Sequence, residues 1–172
     1  MRFPLVFLLG LGIGLAHAPC PAHAHGAHQH GVAQLMVAVE GPTLTLRLES
    51  PLDNLLGFER APRTEKERAA AEALLGRLKR GEGLFALTQA AECALASATV
   101  DAPVLQGGKA AAGHADLAAE WRYSCRAPDK LTGLRVLLFR DYKRLTRLEA
   151  AVAGPRGQRA ARLSARAPDL AW

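Results

Sequence analysis

Four of the six histidines of this 172-residue chain fall in one short stretch, at His23, His25, His28 and His30. Neutral imidazole is a good ligand for zinc and for copper. His28 and His30 are two apart, so in an extended segment both rings project to the same side and a single ion reaches both. The residues between and beside them are Gly, Ala and Gln, which supply no core. The tract therefore reads as an arm whose ligands need no preformed cavity. Short His-rich tracts are metal-prone by composition, so the expected ion is Zn2+, with Cu2+ as the alternative that the same rings allow.

A second group lies far along the chain. His114 and Asp116 are two apart, and if a strand begins there they share a face with Glu120 and Arg122, opposite Trp121. An imidazole and a carboxylate so placed can share an ion; equally, Asp116 can pair with Arg122 and leave His114 in a loop. Asp53 and Glu59 bracket the segment after the first pair of strands, as metal ligands or as solvated and capping groups. Enzyme signatures are missing: there is no HExxH helix, no GxSxG elbow and no phosphate-binding glycine loop. The expectation is a binding protein and not an enzyme.

The elements that must position these groups begin after a segment read as a signal peptide. Arg2 precedes an apolar run from Leu5 to Leu15, too short for a membrane span of roughly 20 residues. Small-x-small cleavage sites end at Ala18 and Ala24. The second is preferred because the first would leave Pro19 leading the mature chain. A lipid-anchored Cys20 is the competing reading, disfavoured by Pro19 before it. Cleavage after Ala24 divides the chain into residues 1–24, a mobile His-rich arm over 25–31, and one domain over 32–172. It also leaves Cys93 and Cys125 as an even pair in an oxidising compartment, which points to a disulfide. That bridge would close a loop of about 33 residues, worth about 3.7 kcal/mol on the chain-entropy model. Two zinc thiolates are the alternative, without a CxxC partner for either.

Composition is that of a globular protein, 49% hydrophobic and 22% charged. With 5% aromatic residues, the core must come from Leu, Val and Ala. The formal charge is +6. Export and the lack of a recognition motif argue against nucleic acid, leaving the basic residues as solvated faces or as contacts to anionic lipid or an acidic partner. Val32 to Glu40 and Thr43 to Ser50 read as a β-hairpin turning at Gly41 and Pro42, with Leu44, Leu46 and Leu48 on one face. Residues 51–62 read as a connector. Thr64 to Glu67 forms a capping box, opening a helix that Gly81 stops. Strands are expected at Cys93 to Val100, Leu117 to Cys125 and Gly133 to Phe139. A second hairpin runs from Leu145 to Ala153 and from Gln158 to Ala165. Residues 106–113 read as a loop. The fold class is α+β, a mostly antiparallel sheet of short strands with one main helix packed on it.

Several stretches resemble one family. His28 to Leu35, then Glu49-Ser50-Pro51, then Gly57 to Pro62 with its Phe58-Glu59 pair, are similar to the ZrgA-like exported proteins. Cys93, the stretch from His114 to Cys125, Leu138-Phe139 and the run from Pro155 to Gln158 fall where later motifs of that family lie. The resemblance covers residues 28–165. It implies a periplasmic zinc-binding protein that delivers or buffers Zn2+ for uptake by an ABC-type transporter, with His28, His30 and His114 as ligand positions and Glu59 close by. Members often carry His after the Phe-Glu pair, where this chain has Arg60, and a longer His-rich tract.

The expected metal set is therefore His25, His28, His30, His114, Asp116 and Glu59. The competing functional expectations are an envelope adaptor without a metal role and a copper-binding chaperone.

Overall fold

The computed structural model describes residues 29–108 and 115–172. Alternation in the first hairpin follows from one buried face. Strand β1 (Val32–Glu40) and strand β2 (Thr43–Pro51) pair antiparallel, Leu35 opposite Leu48 and Val37 opposite Leu46. Leu35, Leu44, Leu46 and Leu48 are fully buried, while Arg47 lies exposed on the opposite face. Beyond β2 the chain makes one short turn of helix, α1 (Asp53–Leu56), which ends at Gly57 in a left-handed conformation, φ +81°. The connector expected at 51–62 thus contains an element that the sequence pattern was too short to show.

Helix α2 (Glu65–Arg80) starts where the capping box predicts. The Glu67 amide donates to the Thr64 hydroxyl at 3.1 Å, and the Thr64 amide donates back to the Glu67 carboxylate. Arg60 adds two guanidinium hydrogen bonds to the same carboxylate, at 2.7 and 2.9 Å. Arg60, followed by the Arg63 amide, holds the Glu67 carboxyl down at about 2. A carboxyl depressed in the folded state contributes stability above its unfolded value, and that contribution is lost as pH falls through the folded value. The thermal midpoint of wild type should therefore exceed that of Glu67→Gln at neutral pH. The gap should close between the ordinary carboxylate range and about pH 2. A gap that stays constant over that interval would contradict this account.

Strand β3 (Phe85–Leu87) follows the helix, then β4 (Cys93–Asp101), β5 (Asp116–Cys125), β6 (Gly133–Val136), β7 (Arg147–Gly154), β8 (Gly157–Leu163) and β9 (Asp169–Ala171). Six strands form one sheet in the order β4-β5-β2-β1-β7-β8, and the other three form a small sheet in the order β3-β6-β9. All pairs are antiparallel except β1 with β7. The α+β reading with one main helix holds. The three-stranded sheet was not legible, because β3 and β9 are three residues each. The strand expected over Gly133 to Phe139 stops at Val136. Leu138 and Phe139 are consecutive and both buried, which a strand with alternating faces does not allow; the chain turns there into a single 3-10 turn, Leu138–Arg140.

Cys93 lies directly opposite Cys125 in the β4–β5 ladder, and the two are joined by a disulfide. That resolves the choice left open between a disulfide and two zinc thiolates. Trp121, fully buried on β5, ties the layers together. Its indole N–H donates at 2.7 Å to the carbonyl of Leu78 in the last turn of α2, which also accepts from the Gly81 N–H that closes the helix. Phe85 meets its ring edge-on, centroids 5.3 Å apart. Among the described residues, no helix is long and apolar enough to cross a membrane.

Candidate metal site at the root of the N-terminal arm

Among the described residues, the buried polar or charged side chains are Ser50, Asp53 and Asn54. All three fall in the exit from β2 and the start of α1. Burying such groups is costly unless each finds partners, so their concentration in five residues marks a place where the fold maintains polar structure. Asp53 is gripped by Arg144, whose guanidinium reaches both carboxylate oxygens at 2.7 Å and also the Asp53 carbonyl. That occupation answers the question raised by its sequence position: Asp53 is the anchor of an ion pair and not a ligand in waiting.

Asn54 faces the other way, toward the chain that enters β1. Its amide oxygen accepts from the Gly31 N–H at 2.6 Å, and its amide nitrogen donates to the Val32 carbonyl at 2.8 Å and to the Ser50 hydroxyl at 3.1 Å. From the far side the Gly31 carbonyl accepts from the Thr146 and Arg147 amides and from the Thr146 hydroxyl. Gly31 has φ +82°, and a Cβ there would come within 2.8 Å of the Thr146 hydroxyl, so only glycine fits. The root of the arm is thus held between α1 and the start of β7.

One residue before this pinned peptide stands His30. Its Nε2 lies 3.1 Å from Oε1 of Glu59. The His30 side chain is 65% exposed and that of Glu59 is 25% exposed, so an ion in solution can reach the pair. Glu59 is itself steadied by its neighbours: Arg60 lies over the Phe58 ring, 5.1 Å from its centroid, and is forked onto Glu67. Arg60 here serves to moor the loop.

The other expected ligands divide in two groups. His25, His28 and His114 lie outside the described residues. Asp116 opens β5, half-buried and opposite Pro51. Arg122 pairs with Glu120 at 3.0 Å. Among the described residues no three metal-competent side chains converge; the pair brought together is His30 with Glu59. Register nevertheless places Asp116 at the same end of the sheet. Continuing the β1–β2 pairing sets Val32 opposite Pro51, and Pro51 is opposite Asp116, so Val32 and Asp116 are level across about 10 Å of sheet. The Ala115 carbonyl accepts from the Leu52 amide at the start of α1.

Residue types point to Glu59 and His30 but not to Asn54, Thr146 and Arg144, which build the mount. Asn54 carried a readable signal, an amide beside an acid directly after the apolar pair Pro51-Leu52; Thr146 and Arg144 carried none, being far away in sequence. The model for the ZrgA family of zinc uptake proteins matches residues 27–172. A search of curated proteins finds no match. With a match over nearly the whole chain, including both members of the His30–Glu59 pair, this protein belongs to the ZrgA family of zinc uptake proteins.

Proposed function

We propose that the chain is an exported zinc-binding protein that captures Zn2+ in the periplasm and passes it toward ABC-type uptake, by binding and ligand exchange and not by catalysis. The observation that carries this reading is the 3.1 Å approach of His30 to Glu59 at the root of a histidine-rich arm. Zinc takes four ligands, and an imidazole with a carboxylate supplies a sound half of that set. His28, two residues before His30 in the sequence, is the natural third ligand. His114, which precedes the strand level with β1, is a fourth, with Asp116 at hand. His25 is then the residue that first meets the ion and hands it inward. Family membership and the Cys93–Cys125 bridge both favour an oxidising compartment outside the cytoplasm.

Coordination needs the unprotonated ring, so zinc binding releases protons and weakens in acid. Calorimetric titration of the processed protein with Zn2+ should therefore give clearly weaker binding near pH 5.5 than near pH 7.5, on either side of the ordinary imidazole value of about 6.5. Equal affinities at the two pH values would reject histidine ligation and with it this function.

A further inference from the structure

Two ligands that are far apart in sequence need a common mount if they are to meet the same ion, and the structure shows a candidate for it. Asn54 lies in α1, five residues before Glu59 and with one side chain on the peptide next to His30. It is 1% exposed and uses both amide donors and its oxygen: the oxygen accepts from the Gly31 N–H, and the nitrogen donates to the Val32 carbonyl and the Ser50 hydroxyl. An amide is the group that offers acceptor and donors in one plane. A carboxylate would lack the donors, and an apolar side chain would leave the Gly31 N–H without its acceptor and take one donor each from the Val32 carbonyl and from the Ser50 hydroxyl, which keeps its own bond to the Pro51 carbonyl. The helix that carries Asn54 ends two residues before Glu59, where the Gly57 amide closes on the Asp53 carbonyl at 2.9 Å.

We infer that Asn54 is the positioning residue of the His30–Glu59 pair: by holding the Gly31 and Val32 peptide groups against α1, it sets the His30 ring within reach of the carboxylate that the same helix leads into. Its bonds fix the peptide that follows His30, so the arm's first ring leaves the sheet in one direction. Glu59 takes its place from the other end of the same short element, reinforced by the stack of Arg60 on Phe58. The consequence for zinc affinity rests on the function proposed above; the consequence for the metal-free pair does not.

The test uses the full processed chain. In metal-free protein followed by NMR, Glu59→Gln should shift the His30 ring resonances in the wild-type background and leave them nearly unmoved when Asn54→Ala is also present. Asn54→Ala should also lower zinc affinity about tenfold, the range seen when a group that orients a ligand is lost. A purely structural asparagine would lower the melting temperature yet leave the response to Glu59→Gln intact, and that result would overturn the inference. Should Asn54→Ala fail to fold, Thr146→Val loosens the same Gly31 peptide while sparing the buried amide. A reduced His30 response to Glu59→Gln in that variant supports the inference, and an undiminished one overturns it. If His30→Ala binds zinc as tightly as wild type while the His30–Glu59 coupling still depends on Asn54, the reading of this pair as zinc ligands fails and the positioning role stands.

Discussion

His30→Ala is expected to weaken zinc binding by about a hundredfold, ~2.7 kcal/mol of binding free energy, while leaving the fold almost untouched. The His30 side chain is largely exposed and meets Glu59 at the surface, so the stability cost should stay within about 0.5 kcal/mol, as for other surface substitutions. Glu59→Gln keeps the size of the side chain and removes its charge. It should weaken binding about tenfold. Because both groups act on one ion, the double variant should lose less than the product of the two single effects, the non-additivity expected of residues in contact. Calorimetry with Zn2+ on the four proteins, with circular dichroism to confirm folding, reads all of this. Wild-type affinity in His30→Ala would remove the arm root from the metal site.

Trp121→Ala should have the largest effect on stability, about 4 kcal/mol, within the range for truncating a buried aromatic. The side chain has no exposed surface, meets Phe85 edge-on, and donates to the Leu78 carbonyl at the end of α2. Its removal opens a cavity between the six-stranded sheet and the helix and leaves that carbonyl without the indole. Trp121→Phe separates the two contributions: the ring is largely kept and the hydrogen bond is lost, for a cost of about 1–3 kcal/mol. A domain of this size is stable by only about 5–15 kcal/mol, so the alanine variant should unfold at markedly lower urea concentration. If its midpoint matched wild type, the helix would not depend on this contact for its seat on the sheet.

How much of this was readable in advance varies with the range of the interaction. The first hairpin was plain, because Leu44, Leu46 and Leu48 alternate with polar residues and the turn at Gly41 and Pro42 announces itself. The main helix was equally plain, since a capping box and a terminal glycine are local signals written within a few residues. Strands β3 and β9 were hidden because three residues carry no period, and they exist only because β6 runs between them. The turn at Leu138–Arg140 reads as strand in the sequence because a run of apolar residues looks alike whether one face or two are buried.

Residue type alone identified imidazole and carboxylate as the working groups, since metal affinity is a property of the donor atom and needs no fold to be recognised. It likewise points to Cys93 and Cys125 as partners, through their parity once the chain is read as exported. Which of these groups meet was settled by folding. His30 finds Glu59 because a buried amide on α1 and a hydroxyl before β7 close on one glycine peptide, and Asp53 is withdrawn from metal chemistry because Arg144, 91 positions away, occupies it. Local patterns record what a residue can do, whereas distances between remote segments follow from how the whole core packs, and no short window of the chain contains that information.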